Sequence, residues 1–121
     1  MWLHWQVLIG KKLCVLVWHY HDDDVAGPAA AVELTVEGLD RSLKQARLTH
    51  HRIDGEHSNA YAAWQKMGSP KEPSAEQRAA LLKASALALL EAPKAAEVGD
   101  GRVALRFTMP RQSVSLLRLA W

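Results

Sequence analysis

Two segments in which apolar and polar residues alternate strictly constrain the fold of this chain most. In residues 31–36 (AVELTV), Val32, Leu34 and Val36 alternate with polar residues, and Gly38 ends the pattern. Residues 102–108 (RVALRFT) alternate in the same way. Because successive side chains of a strand point to opposite faces, a period of two gathers the apolar side chains on one face. Both segments are therefore predicted to be half-buried strands.

Three other segments and one turn extend this β pattern. Residues 13–21 (LCVLVWHYH) and 113–121 (SVSLLRLAW) are predicted strands, the first ended by aspartates, glycine and proline. Residues 46–54 (ARLTHHRID) alternate more weakly because Leu48 and Ile53 are out of phase, which predicts a bulge or an edge position. Gly99-Asp100-Gly101 tolerates the positive φ angles of a tight turn and predicts a hairpin between residues 94–98 and 102–108.

The middle of the chain changes to a helical period. Residues 58–67 begin with a good N-cap residue, place Tyr61 and Trp64 on one face and end before Gly68, which predicts a short helix. Ser74 and Gln77 form a capping-box pattern at the start of a second predicted helix over residues 75–91. Strands at both ends with helices between them predict a mainly β fold, a small antiparallel β-sandwich with a two-helix excursion.

Length, charge and cysteine content exclude several classes of protein. A chain of 121 residues is too short for a (β/α)₈ barrel, which needs at least about 200 residues. Fifteen basic and thirteen acidic residues are scattered along it, so neither a nucleic-acid nor a membrane partner is expected. The single Cys14 lies in an apolar run, where a buried, inert thiol is the favoured interpretation. The sequence has no signal-peptide or membrane-span pattern, which predicts a soluble chain whose compartment stays open.

Histidines and carboxylates form two candidate sites. His19 and His21 lie two apart on a predicted strand and precede three aspartates, a combination that could hold a divalent metal. Nothing identifies a third ligand, so a capped turn is favoured and neither a metal nor a cofactor is predicted. The second cluster is Asp54, Glu56 and His57, and its carboxylates are more typical of a turn and a helix start than of an acid and base pair.

Aromatic residues form a third candidate. Five tryptophans in a chain of this length could stack on sugars, but Trp18, Trp64 and Trp121 each lie in apolar surroundings. Packing in a core or between domains is therefore favoured over a sugar platform. The residues kept as possible domain-interface or sugar contacts are Trp18, His19, His21, Glu56, His57, Tyr61 and Trp64, and no catalytic residue is predicted.

Three separated motifs carry a family resemblance. Residues 16–24 (LVWHYHDDD), 52–70 (RIDGEHSNAYAAWQKMGSP) and 105–117 (LRFTMPRQSVSLL) resemble, in order and spacing, the C-terminal region of family 39 glycoside hydrolases, the β-xylosidases. The resemblance covers residues 13–121, expected to form the accessory domain. Residues 1–12 do not match, which suggests a fragment of a truncated or frame-shifted gene.

The resemblance implies a retaining enzyme of β-1,4-linked xylose whose (β/α)₈ barrel precedes this accessory region. It also implies an acid/base glutamate in an Asn-Glu-Pro context, yet the only Glu-Pro here is Glu72-Pro73, between the predicted helices. No catalytic residue carries over. The expected partners are the parent barrel and xylan-derived oligosaccharides. The chain is thus expected to be an inactive accessory domain or fragment, and the alternative is a free-standing carbohydrate-binding module.

Overall fold

Eight β-strands and two α-helices are present in the computed structural model, which describes residues 2–121, with side chains from Leu3 onward. The elements in chain order are β1 (Trp2–Ile9), β2 (Lys12–His19), β3 (Ala30–Val36), β4 (Gln45–Ile53), α1 (Ala60–Lys66), α2 (Ala75–Ala84), β5 (Ala88–Leu89), β6 (Lys94–Glu97), β7 (Val103–Met109) and β8 (Ser113–Ala120).

The strands form two antiparallel sheets. One has the order β1-β2-β8-β4-β5, with β6 also paired to β4, and the other consists of β3 and β7. The mainly β fold with inserted helices is therefore confirmed. Strand β1 lies within residues 1–12, the segment that did not match the family motifs, and it pairs with β2 along its whole length. Met1 lies outside the described residues.

The apolar core lies between the two sheets. Strands β2, β4 and β8 contribute every second residue to it, as the burial of Leu13, Val15 and Val17 on β2 illustrates. The predicted apolar face of β3 packs against this core. The buried apolar residues are Leu13, Val15, Val17, Ala46, Leu48, Ala96, Val98, Val103, Leu105, Met109, Leu117 and Leu119.

The expectation of a bulge or an edge position in β4 is wrong. Strand β4 pairs with β8 on one side and with β5 and β6 on the other, and its register is unbroken. Leu48 points into the sandwich and Ile53 points out of it, as strict alternation requires. The pattern was obscured because the inward positions between them belong to the polar residues His50 and Arg52.

The turn at Gly99-Asp100-Gly101 is confirmed, but the hairpin is wrong beyond its first pair. The backbones of Gly99 and Arg102 exchange two hydrogen bonds of 2.9 Å, and Asp100 and Gly101 have positive φ angles of 51° and 73°. Strand β6 then pairs with β4, whereas β7 pairs with β3. The turn therefore carries the chain from one sheet to the other.

Both predicted helices form, and the second ends earlier than predicted. The Ser74 capping box of α2 is present with both reciprocal hydrogen bonds, whereas α1 is capped by Asn59 rather than Ser58. Helix α2 stops at the C-cap Ser85, and residues 88–89 pair with β4 instead of extending the helix to residue 91. Neither helix contains a buried residue, so the excursion stands beside the sandwich. Neither is long and apolar enough to cross a membrane.

Candidate functional site

Buried polar side chains collect at one end of the sandwich, which we call the polar end. It consists of His19, His50, Arg52, Asp54, Ser113 and Ser115. The register explains the gathering: β2 and β4 finish where β8 begins, so His19 lies opposite Ser113 and Arg52 lies opposite Ser115. Helix α1 starts a few residues after β4, which places the helical excursion at this same end.

Arg52 is buried at the polar end and organises its neighbours. Its Nε donates to Ser115 Oγ (3.0 Å) and its Nη2 donates to the carbonyl oxygen of Thr108 (2.8 Å). Ser115 Oγ then lies 2.9 Å from His50 Nε2, to which its hydroxyl can donate. Burial first, and the nearby Arg52 charge second, lower the pKa of His50 from 6.5 to about 4. His50 is therefore a neutral hydrogen-bond acceptor at neutral pH.

Asp54 balances the Arg52 charge and shapes the loop after β4. Its Oδ2 lies 3.5 Å from Arg52 Nη1. Its Oδ1 accepts the backbone N–H groups of Glu56 and His57 and the His57 ring Nδ1–H, each at 2.8 Å. Burial acts to raise the pKa of Asp54, but these hydrogen bonds outweigh it, so the pKa lies below its ordinary value.

The loop geometry assigns different places to the residues of the second predicted cluster. His57 is in contact with Asp54, whereas the Glu56 side chain is exposed and joins the cluster through its backbone only. Asn59 Nδ2 donates to the Asp54 carbonyl oxygen (3.0 Å). The Asp54 carboxylate is thus already occupied by the turn and by Arg52, an arrangement that stabilises the loop.

The structure brings His19 and His21 together. Their Nε2 atoms are 2.8 Å apart, and His19 Nδ1 faces the carbonyl oxygens of Met109 (3.3 Å) and Pro110 (3.1 Å). Carbonyl oxygens only accept, so His19 carries its proton on Nδ1 and its Nε2 accepts from His21. Burial, the Arg111 charge and His19 lower the pKa of His21. Among residues 2–121, no three His, Cys, Asp or Glu side chains are placed to hold a metal ion.

Tyr61 and Trp64 lie together on α1. Their rings stack with centroids 5.7 Å apart and planes 29° apart. The Trp64 ring N–H donates to the Pro70 carbonyl oxygen (3.0 Å), which fixes the indole against the loop after the helix. Tyr61 is 65% exposed, so one face of this pair is open to a partner or a ligand.

Trp18 belongs to a different surface, the exposed face of the six-stranded sheet, which we call the outer face. Residues opposite one another in the register share a face, so two apolar rows cross the strands. The first row is Leu3, Trp18, Val114 and Ile53, and the second is Trp5, Leu16, Leu116 and Leu89, with the polar residue His51 between the last two. Strands lie about 4.8 Å apart, so the second row spans about 19 Å.

The outer face is divided by polarity. The two apolar rows lie toward the polar end, and Trp5 and Ile53 are 61% and 43% exposed. The remaining rows carry the basic residues Arg118, Lys12 and Arg47, and Glu97 on β6, opposite Gln45, is the one acidic side chain on this face of the described strands. Monomeric proteins rarely expose a contiguous apolar patch of this extent, so such a patch marks an interaction surface.

Sequence reasoning missed most of the outer face. Strand β1 was not predicted, although residues 3–7 (LHWQV) alternate between apolar and polar side chains before Leu8 and Ile9 break the pattern. Leu89 was assigned to a helix, although it lies on the sheet beside His51. The alternation of β8 was the available signal. Ser115, Leu117 and Leu119 point inward, so the two apolar residues Val114 and Leu116 must face outward.

The domain is thus a two-sheet antiparallel β-sandwich that carries a helical excursion and exposes one apolar sheet face. The sequence model of glycosyl hydrolases family 39 matches residues 7–103. The chain belongs to this family. No curated protein matches the sequence.

Solved structures share the fold. The chain is similar to the GH39 enzyme from Xanthomonas axonopodis pv. citri (TM-score 0.80, 21% identity, covering 97% of this chain and 25% of that chain). It is also similar to a monomeric beta-xylosidase from Caulobacter crescentus CB15 (TM-score 0.75, 21% identity, covering 97% of this chain and 26% of that chain). A third similar structure is a bacterial orthologue of human α-L-iduronidase (TM-score 0.77, 22% identity, covering 98% of this chain and 22% of that chain). The chain therefore spans about a quarter of the length of these proteins.

Proposed function

We propose that this chain is the accessory β-sandwich of a family 39 β-xylosidase and that it packs on the catalytic barrel through the outer face. The observation that carries the proposal is the pair of apolar rows across five strands, with Leu3, Trp5, Ile53 and Leu89 all more than 40% exposed. A surface of this kind is unfavourable in water and favourable against a second apolar surface.

The free energy gained by burying the outer face is sufficient for stable packing. Fully burying one large apolar side chain contributes roughly 1.5–3 kcal/mol. Covering these four half-exposed side chains would therefore contribute on the order of 4 kcal/mol before partner contacts with the rest of the face are counted. Arg47 and Arg118, at the other end of the outer face, would favour acidic groups on the barrel surface.

The parent enzyme supplies the chemistry in this proposal. The 121 residues contain no Asn-Glu-Pro, and the Glu72-Pro73 pair lies in the connection before α2, with Glu72 exposed. The buried carboxylate Asp54 is engaged by Arg52 and the turn. The purified chain is thus expected to be inactive, and the parent is expected to act on β-xylosides.

A free-standing carbohydrate-binding module is the weaker candidate. Its best support is Tyr61, whose ring is largely exposed on the helix that borders a groove of about 410 Å³, which is lined mostly by alanines and also contains His57, Lys66 and Lys83. Tyr61 and Trp64 stack on one another, however, so they do not present two coplanar faces to a sugar. A sugar platform would need a second open ring.

A chimera tests the proposal. The matching quarter of the Xanthomonas enzyme is replaced by this chain, and hydrolysis of nitrophenyl β-xyloside and nitrophenyl α-L-iduronide is measured for the chimera and for the chain alone. We expect the chimera to keep the activity of its Xanthomonas barrel and the chain alone to have none. Turnover by the chain itself would overturn the non-catalytic assignment, and a folded chimera without activity would overturn the assignment of this chain as the accessory domain of such a barrel.

Two matched variants locate the interface in the chimera. Ile53→Glu places a charge on the outer face and should separate the melting of the sandwich from that of the barrel. Leu82→Glu places the same charge on α2, where the side chain is 76% exposed, and should leave a single transition. The reverse pattern would move the interface to the helices and contradict packing through the outer face.

A further inference from the structure

Strand β1 forms one edge of the six-stranded sheet. It pairs with β2 on one side, and no strand within the described part of the chain pairs with its other side. Every second residue of β1 therefore directs a backbone N–H and C=O outward without a strand partner.

This edge lacks the features that normally protect an exposed strand. Its eight residues, WLHWQVLI, contain no Lys, Arg, Asp, Glu or Pro, and its register with β2 runs without a bulge. Long, uncharged and regular edges are the ones that pair with another chain. Leu3, Trp5, Leu8 and Ile9 on this strand are all exposed, so a partner strand would also cover apolar surface.

The other edges are better protected. Strand β5 has only two residues, and β6 has four, of which Lys94 and Glu97 are charged. In the small sheet, β3 and β7 carry Glu33 and Arg106 near their centres. Strand β1 is therefore the edge on which pairing with another chain meets the least resistance.

A second copy of the same strand fits this edge without any conflict of charge. Two identical strands related by a two-fold axis pair antiparallel, and the residues that direct their hydrogen-bonding groups outward are every second residue. Paired residues must then both be odd-numbered or both even-numbered. Leu3, Trp5, Val7 and Ile9 consequently meet their own kind, and the apolar rows of the outer face continue from one copy into the other.

We propose that two copies of this chain associate edge to edge through β1, with Trp5 opposite Trp5 at the two-fold axis and Leu3 opposite Val7. The pairing joins two six-stranded sheets into one continuous sheet. A cross-strand pair of aromatic side chains at the axis adds to the backbone hydrogen bonds. The dimer uses the edge of the sheet, whereas the proposed barrel contact uses its outer face. Leu3 and Trp5 belong to both surfaces, so Ile53, which lies on the outer face away from this edge, separates the two tests.

Sedimentation equilibrium of the full chain over a range of concentrations tests the dimer. We expect a species of twice the 13.4 kDa chain mass. Trp5→Lys sets two like charges opposite one another at the axis and should give a monomer. Ile53→Lys places the same charge on the outer face, three strands away from β1, and should leave the dimer intact. Far-UV circular dichroism of each variant checks that it is folded. The Leu3→Lys/Val7→Lys double variant, which also sets lysines opposite one another in this register, replaces Trp5→Lys if the latter does not fold.

Disulfide trapping tests the register. In a Cys14→Ser background, Trp5→Cys should form an intermolecular disulfide on mild oxidation, because opposite residues of antiparallel strands have Cα atoms about 4.5–5.5 Å apart, within disulfide range. Ile53→Cys should not. A monomeric parent chain, a dimer that survives Trp5→Lys, or a dimer lost in Ile53→Lys would each overturn the proposal, the last by indicating association of the outer faces.

Discussion

Replacing Asp54 by alanine removes the counter-charge of a buried arginine. Arg52 is 3% exposed and would keep its hydrogen bonds to Ser115 and to the Thr108 carbonyl, but its Nη1 and its charge would have no acidic partner. Leaving one member of a buried ion pair alone costs about 3–5 kcal/mol. The N–H donors of Glu56 and His57 lose an acceptor too, but this loop is near solvent and water can replace it.

Urea denaturation at pH 7 measures this cost, with two further variants as references. Glu37→Ala breaks an ion pair with Arg102 that is more than half exposed, so it should cost less than about 1 kcal/mol. In the Arg52→Met/Asp54→Ala double variant the uncompensated charge is gone, so the two changes should couple by about 1–3 kcal/mol. An Asp54→Ala cost as small as that of Glu37→Ala, or additive effects in the double variant, would refute the assigned role of the Arg52–Asp54 pair.

Three other predictions follow from burial and backbone geometry. The free energy of unfolding should fall by at most roughly 3 kcal/mol between pH 6.5 and pH 4, because His50 takes up a proton in the unfolded chain but not in the folded chain, where its pKa is lowered to about 4. His50→Gln should flatten this part of the pH profile, and an unchanged slope in that variant would contradict the assignment to His50. Gly101→Ala should lower the free energy of unfolding by more than about 2 kcal/mol, since Gly101 has a positive φ and a Cβ there would lie 2.5 Å from the Leu39 carbonyl oxygen. Gly99→Ala is the control because a Cβ at Gly99 meets open space. Equal costs for the two variants would argue against the contact with Leu39. Leu82→Gln should change the unfolding free energy by less than about 0.5 kcal/mol because this side chain is exposed, and a larger loss would show that α2 packs on the sandwich.

The sequence predicted five of the strands well because their side chains obey a simple physical rule. In β3 the apolar residues alternate without exception, and the structure gives the same alternation of burial. In β4 the rule was obscured because His50 and Arg52 take inward positions. Their burial depends on Ser115 and Asp54, which lie on another strand and beyond the strand end, so single-strand periodicity cannot reveal it.

The helix ends and the strand partners depend on tertiary contacts in the same way. Apolar residues continue past Ser85, so composition alone extends α2, whereas pairing with His51 draws Leu89 into the sheet. The turn residues Asp100 and Gly101 were read correctly from their tolerance of positive φ. The sequence of a turn does not say which sheet its flanking strands join, and here they join different ones.

Sites were predicted less well than strands. The spacing of two residues placed His19 and His21 on one face, and the spacing of three placed Tyr61 and Trp64 on one face. Both contacts form in the structure. The outer face could not be found in this way, because its rows run across strands that are distant in the sequence.

Hydroxyl-radical footprinting tests packing through the outer face most directly. Oxidation of Trp5 and Ile53 is compared between the isolated chain, diluted until it is monomeric, and the chimera that contains the Xanthomonas barrel, with Leu82 as the internal reference. If the sandwich packs on the barrel through its outer face, Trp5 and Ile53 become severalfold less reactive in the chimera while Leu82 keeps its rate. Unchanged oxidation of Trp5 and Ile53 in a folded, active chimera would contradict it.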